Sequence, residues 1–373
     1  MKHKVLFISS WFPNKLEPTN GNFVQRHAEA ASLICDVEIL HAIGNFQQSE
    51  KFIFDDQIIN NIRTLIVYYK NSKNPLQNFY RRMTAYKKGF SQLKYPSLVH
   101  ANVLHNSMFF AVYLKKKFKI PFIVTEHWSA LKTQNQHKTS YSTKLIAKII
   151  GNQAYKILPV SENLQSSLEK LGIRTEMKVI PNVVNTNLFF PAKISTEKFT
   201  FIHVSNLTDN KSPDKILKVA IKLLSEGYSF NMQIGGDGDI SELQDMVKKE
   251  KLESVIEVFG IQILPQIADR MRNSDCFILF SDYENQPCVI AESFASGIRV
   301  ISTNVGGIPE FFPDDFGILL ENKEEDLLEE AMLKMLMSEK KIDPLILRMY
   351  AEKTFSQETI SEKFLKIYSE ILK

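Results

Sequence analysis

The chain has 373 residues, of which 44% are hydrophobic and 24% charged, with 14 glycines and 14 prolines. That length suits two domains with a core each, and the composition excludes disordered and fibrous classes. The net charge of +4 hides a division: residues 1–190 carry 25 Lys/Arg against 11 Asp/Glu, and residues 191–373 carry 21 against 31.

The N-terminal apolar run Val5–Ile8 is too short for a signal segment, and no stretch approaches the 18 or more apolar residues of a membrane span. It reads as a first buried strand, Val5–Ser9. Further strands are expected at Val37–His41, Thr64–Tyr69, Leu98–Asn102, Phe122–Thr125 and Lys156–Pro159, with a short one at Val179–Pro181. Helical periodicity falls on Phe23–Ile34, Ser107–Phe118, Tyr141–Asn152 and Glu162–Lys170. This βαβ rhythm implies a parallel sheet with helices on both faces.

The loops that follow these strands hold the polar residues of interest. After the first strand, Gly21 and Asn22 lead into a helix, where a glycine lets a backbone approach a ligand and leaves helix amides open to an anion. Arg26 and His27, just inside that helix, are expected to face a cleft. Asn102 and His105 follow the strand at 98–102, and Glu126, His127 and Trp128 end the strand at 122. Polar groups at the carboxyl ends of buried strands are candidates for chemistry. The basic segments Arg81-Arg82, Lys87-Lys88 and Lys115–Lys117, interleaved with Tyr80, Tyr86, Phe90 and Tyr95, suit docking on an anionic membrane face or a plain solvated surface. A nucleic-acid partner is the least supported reading and is not expected.

The second half repeats the rhythm after a boundary near Phe190–Lys193. Strands are expected at Phe199–Ser205, Phe230–Gly235, Val255–Phe259, Cys276–Ser281, Arg299–Ser302 and Gly317–Leu319. Helices are expected at Pro213–Glu226, Ile240–Glu250, Ile263–Asn273, Val289–Ser296, Lys323–Met337 and Ser356–Lys373. Asn206 and Lys211 follow the first of these strands, and a lysine beside helix amides makes a phosphate site. Gly235, Gly236 and Gly238 form a glycine-rich turn, and Gly306-Gly307 a second. The segment SDYENQPCVIAESF places Glu284 in a loop and Glu292 in the first turn of the next helix. Pro287 is expected to open that helix, and the amides near Cys288 and Val289 to meet a diphosphate. A carboxylate accepts hydrogen bonds from a vicinal diol. Cys35, Cys276 and Cys288 read as buried thiols, and the eight histidines form no metal-ligand pattern, so no metal is expected.

These motifs resemble the family 4 retaining glycosyltransferases. Glu284 and Glu292 reproduce the family's Glu-x7-Glu spacing, ahead of ASGIRVISTNVGGIPE, and VIPNVVNTNLFFP and LPVSENLQSSL match its linker-proximal segments. The resemblance implies a GT-B fold, α/β, with two doubly wound Rossmann-like domains facing across a cleft. Residues 1–190 would form the acceptor domain, joined by a C-terminal helix at 356–373, and residues 191–355 the donor domain. It implies transfer of a hexosyl unit, with retention, from a UDP- or GDP-linked sugar to an acceptor hydroxyl in polysaccharide or glycolipid assembly. The alternatives are a small soluble acceptor or a non-catalytic sugar-nucleotide binding protein. By position, Glu292 would bind ribose, Glu284 the donor sugar and Lys211 the diphosphate. His127 would lie near the reacting carbon, with Gly21, Asn22, Asn102 and Glu126 on the acceptor or phosphate side. No cofactor is implied. The expected place is the cytoplasm, with peripheral association at the inner membrane face. Three departures stand out: Asn206-Leu207 where many members have Arg-Leu, Asn-Gly-Asn-Phe in place of a Gly-Gly pair, and Arg299 in place of a proline.

Overall fold

The computed structural model describes residues 3–191, 198–338 and 342–372. It divides into two compact units, Met1–Val183 with Gln357–Lys373, and Val184–Ser356. The crossover from one to the other follows Val183, where Val184 donates its amide to the Phe355 carbonyl and bridges to Ser356. Of the expected boundary, Ala192 and Lys193 lie outside the described residues.

The first unit runs β1 (Lys4–Ser9), α1 (Asn22–Ser32), β2 (Asp36–Asn45), β3 (Phe52–Ile59), β4 (Ile62–Lys70), α2 (Pro75–Phe90), β5 (Leu98–Asn102), α3 (Phe109–Phe118), β6 (Phe122–Glu126), α4 (Tyr141–Gly151), β7 (Ile157–Pro159) and α5 (Glu162–Lys170). Among the described residues its sheet has seven strands in the order β3-β4-β2-β1-β5-β6-β7. All pairs are parallel except the β3–β4 hairpin. The central strand shows why the chain folds this way. Leu6 and Ile8 pack into one core with residues of α2–α5, while Val5 and Phe7 pack into another with α1. A strand covered on both faces reads as a continuous apolar run.

One expected strand is absent. Val179–Pro181 forms no strand, although Met177 bridges to Ile157. The hairpin strand β3 and the helix α2 are additions. Strand β3 was hidden because FIFDDQII sits at the sheet edge, mostly exposed and without a buried face. Asp55 and Asp56 blunt that edge. Its turn uses Asn60 and Asn61, both at positive φ, as a two-residue hairpin turn requires.

The second unit runs β8 (Thr200–Ser205), α6 (Pro213–Ser225), β9 (Asn231–Gly236), α7 (Ser241–Lys249), β10 (Ile256–Phe259), α8 (Leu264–Arg272), β11 (Cys276–Leu279), α9 (Cys288–Ala295), β12 (Arg299–Thr303), β13 (Gly317–Leu320), α10 (Glu325–Leu336) and α11 (Pro344–Phe355). Its parallel sheet has the order β10-β9-β8-β11-β12-β13. Phe277 and Leu279 point into one core and Cys276 and Ile278 into the other. The final helix, α12 (Gln357–Ile371), belongs to the first unit, where Ile360, Phe364 and Ile367 join the core beneath α1.

In each sheet the strand order reverses direction at one point, between β1 and β5 and between β8 and β11. Ligands of doubly wound sheets bind outside the carboxyl ends of strands at such switch points.

Candidate functional site

In the second unit the loops leaving β8 and β11 are stitched together. Asn210 donates its side-chain amide to the Tyr283 carbonyl at 3.2 Å, and its Oδ1 accepts from the Tyr283 amide at 3.1 Å. The Asp282 amide donates to the Asn210 carbonyl at 3.0 Å. Lys323 adds a clamp, donating to Asp282 Oδ2 at 2.6 Å. This stitching brings Lys211, at the end of a 3₁₀ turn, onto Glu284 as an ion pair. The Lys211 side chain is 16% exposed and that of Glu284 11%, so the pair is largely withdrawn from water yet reachable. An ammonium has three donors, which leaves Lys211 able to hold an oxyanion while keeping Glu284.

The backbone around the pair is held tightly. Leu207 and Ser212 both take left-handed φ, and the Leu207 amide donates to Ser205 Oγ. Beneath them His203 contacts the Ile278 carbonyl and Ser205 Oγ, both at 2.8 Å. Burial pushes its pKa down to about 4, so the ring is neutral. Gly235 and Gly236 prove to be the last residues of β9 rather than part of a turn. Gly236 has φ +138°, and a Cβ there would sit 1.8 Å from the Ser205 carbonyl oxygen. These glycines are required by strand packing whether or not a ligand binds. Asn206, by contrast, is exposed, with its Oδ1 accepting from Thr208 Oγ1 at 3.3 Å.

Helix α9 begins beside Glu284. Pro287 is its N-cap, not its first helical residue, and supplies no side-chain acceptor for the helix amides. Cys288 and Val289 open the helix, and Cys288 is half-buried instead of fully buried. Glu292 lies in the second turn, not the first, and is 2% exposed. Pro287 and Gly307 line one shallow apolar depression with Ile290 and Ile308, so the second glycine turn does converge on the start of α9. A helix start of this kind favours anions through its partial positive charge.

The first unit places its candidates differently. Gly21 caps α1 at φ +78°, and a Cβ there would lie 2.4 Å from the Trp11 carbonyl. Asn22 is exposed. Arg26 and His27 do not face open space: both are buried, Arg26 against the Val183 carbonyl and His27 against the Pro181 carbonyl at 3.2 Å. Asn102 is sealed between β1 and β5, donating to the carbonyls of Ile8 and His100. Glu126 is fully buried, and its oxygens accept from the amides of Leu104, His127 and Trp128 at 2.6, 2.8 and 2.6 Å. It organises two loops and presents nothing outward. Burial pushes its carboxyl up to about 7, against those three donors.

His127 is 9% exposed and leans on Phe23, ring centroids 4.2 Å apart, with His27 at 5.3 Å. Burial, and then His27 and His100, hold it well below the ordinary histidine range. It is therefore neutral, a hydrogen-bonding group rather than a cation. His105 sits at the carboxyl edge of the sheet with Ser10, Trp11, Tyr69, Arg82 and Ser107, around a cavity of about 290 Å³. Of these lining residues only His105 and Arg82 carried a signal in the sequence. Arg82 was visible there only as part of a basic run.

Among the described residues, no group of three or more His, Cys, Asp or Glu could hold a metal ion. No helix among them is long and apolar enough to cross a membrane.

Comparison with known proteins is consistent across the chain. Residues 184–353 match the family model for glycosyl transferases group 1, and residues 29–188 the model for Glycosyltransferase Family 4. The chain is 27% identical over 198 residues to a phosphatidylinositol N-acetylglucosaminyltransferase subunit of Arabidopsis thaliana, covering 52% of this chain but only 44% of that one. The chain thus spans less than half the length of that relative. It is 24% identical over 357 residues to the putative teichuronic acid biosynthesis glycosyltransferase TuaC of Bacillus subtilis, covering 89% and 88% of the two chains. Among solved structures, sucrose-phosphate synthase from Thermosynechococcus elongatus superposes with a TM-score of 0.78 at 17% identity over 99% of both chains. Anabaena HepE, in complex with UDP, gives 0.76 at 16% identity over 98% of this chain and 100% of that one. At such identities these neighbours establish the GT-B fold.

Proposed function

Because the chain belongs to the family 4 glycosyltransferases, we propose that it transfers a hexosyl unit from a nucleotide-diphosphate sugar to an acceptor hydroxyl, with retention. The observation that carries the reading is the Lys211–Glu284 pair at the β8/β11 switch point, beside the start of α9. A cation, a carboxylate and the positive end of a helix on one rim form a set for a ligand that is both phosphorylated and polyhydroxylated. HepE, a neighbour of the same fold, binds UDP, which supports a uridine or similar nucleotide donor here.

In this mechanism the bond between the anomeric carbon and the diphosphate oxygen breaks as the acceptor oxygen bonds to the same face. The acceptor proton passes to the departing diphosphate. Lys211 and the α9 amides stabilise charge on that leaving group, with Asn206 adding an amide where an arginine is common in the family. Glu284 grips sugar hydroxyls and Glu292 the ribose. Neither works as a hydrolase acid or base, which would flank a glycosidic bond as a pair.

The product belongs to cell-surface polysaccharide or glycolipid assembly, by analogy with TuaC and the phosphatidylinositol N-acetylglucosaminyltransferase relatives. A specific observation favours work at an anionic membrane face in the cell. Along α4 the side chains Tyr141, Leu145 and Ile149 stand 77%, 43% and 44% exposed at four-residue spacing, with Lys144 and Lys148 beside them. An apolar helical stripe with a lysine border suits insertion at an anionic lipid interface. Incubating the protein with a panel of nucleotide sugars and measuring nucleotide diphosphate release tests the activity. Release from one or two members of the panel is expected, and release from none would overturn the reading.

A further inference from the structure

The cavity of the first unit has a feature its other polar groups do not share. Arg82, half-buried on α2, is fixed by two neutral partners: Nε donates to the Tyr69 hydroxyl at 2.9 Å and Nη1 to Asn106 Oδ1 at 3.0 Å. Its guanidinium also lies 6.0 Å from the Tyr69 ring centre. Among the described residues no carboxylate pairs with it, whereas Arg63 of the same unit is held by Asp56 and Glu38. A guanidinium has five N–H donors in a planar fork. Two are used here, so three N–H groups remain for an oxyanion.

The surroundings fit a sugar. Ser10 and Ser107 meet hydroxyl to hydroxyl at 2.7 Å, and Trp11 forms an aromatic wall, edge-on to Trp128 at 5.9 Å. Glu17, exposed at the rim, holds Asn20 at 2.6 Å and keeps lone pairs for hydroxyl donors. His105 is kept neutral by burial and by Arg82, its pKa pushed down to about 4, so Arg82 is the cation of the cavity. The volume, about 290 Å³, is at the lower edge of the roughly 300–1,000 Å³ of small-molecule sites. The cavity lies at the carboxyl ends of β1, β2 and β4, and His105 and Ser107, which follow β5, bring it to the β1/β5 reversal.

We propose that this cavity takes the acceptor by an anionic substituent, a carboxylate or a phosphate, held by Arg82, with the ring hydroxyls on Ser10, Ser107 and Glu17. Naming an acceptor rests on the glycosyltransferase reading; the anion site itself does not. The direct test is calorimetric titration with three probes that share one ring: methyl glucoside, methyl glucuronide and glucose 6-phosphate. Wild type is expected to bind at least one anionic probe about tenfold or more tighter than the neutral one, the scale of a charge-assisted pair. The better of the two anions identifies the source. Arg82→Gln is expected to abolish the preference, and Arg82→Lys, which keeps the cation but loses the fork, to retain part of it; thermal melting checks that both fold. Equal affinity for all three probes, no binding of any at millimolar concentration, or a preference that survives in a folded Arg82→Gln would overturn the proposal. UDP and GDP are titrated alongside. Nucleotide binding without an anion preference sinks this inference alone, and the converse sinks the enzyme reading alone.

Discussion

The two units solve the same architectural problem with opposite electrostatics. At the switch point of the second, a lysine and a glutamate face each other at partial exposure, on loops tied by Asn210 and Lys323. In the first unit, the conspicuous polar residues of the strand ends are buried and neutral or spent on backbone. His127 is uncharged, Glu126 holds three amides, and Asn102 spans β1 and β5. Charged groups kept reachable are tools for ligands, and buried ones bound to amides are tools for shaping loops. The difference shows why residue type and strand-end position alone overstate function: Glu126 and Glu284 are both strand-end glutamates, and only one meets another side chain's charge.

The comparison breaks most visibly at Lys211. Lys211→Ala and Glu284→Ala should each lower turnover ten- to a hundredfold, as expected for the loss of a charge-assisted bond worth about 1.5–3 kcal/mol, with the circular dichroism spectrum kept. Steady-state kinetics on the identified nucleotide sugar would measure it, and an unchanged kcat/KM would place the chemistry elsewhere.

Glu126→Gln sharpens the other side. The amide retains one acceptor oxygen where the carboxylate had two, so at least one of three buried amides is orphaned. A loss of about 1–3 kcal/mol is expected, read by urea unfolding. Hydrogen exchange should show it confined to the first unit. Equal protection loss in both units would contradict the division of roles.

Acid should separate the units further. His27, His41 and His105 have pKa values near 4 through burial, and His100 and His127 lie well below the ordinary value. A folded pKa below the unfolded one gives stability that is complete above about 6.5 and is lost as pH falls toward about 4. Glu126, pushed up to about 7, acts the other way, since its cost is relieved in acid; five histidines outweigh it. The second unit holds only His203 among such groups. Exchange protection measured between pH 7 and 4.5 should therefore fall earlier in the first unit, and a simultaneous fall would be the contrary result.

The smallest effect concerns surfaces. Liposomes containing anionic lipid should retain the protein at low salt and release it at high salt, with Leu145→Ser and Ile149→Ser weakening retention severalfold. Indifference to lipid charge would leave the α4 stripe without a membrane role.

Much of the fold was legible because buried parallel strands are apolar runs. The strand at residues 98–102 and the helix at 162–170 matched to the residue. The edge strand β3 was not, since it has no buried face to impose a pattern, although the Asn60-Asn61 pair carried a hairpin signal. In the site, spacing correctly put Glu284 on a loop and Lys211 in the loop leaving β8. It could not reveal that the two pair, because the contact spans 73 positions. Arg82 was hidden for a related reason: its partners, Tyr69 and Asn106, come from different elements. Arg26 and His27 were misplaced because a helix start looks open in sequence, whereas residues 181–183 cover it.

The most direct measurement is titration of UDP and GDP into wild type and Lys211→Ala, with hydrogen exchange locating the protected segments. The account predicts binding of at least one nucleotide, protection at residues 206–212 and 282–292, and an affinity lowered at least about tenfold in the variant. Equal affinity in a folded Lys211→Ala, or protection confined to the first unit, would contradict it.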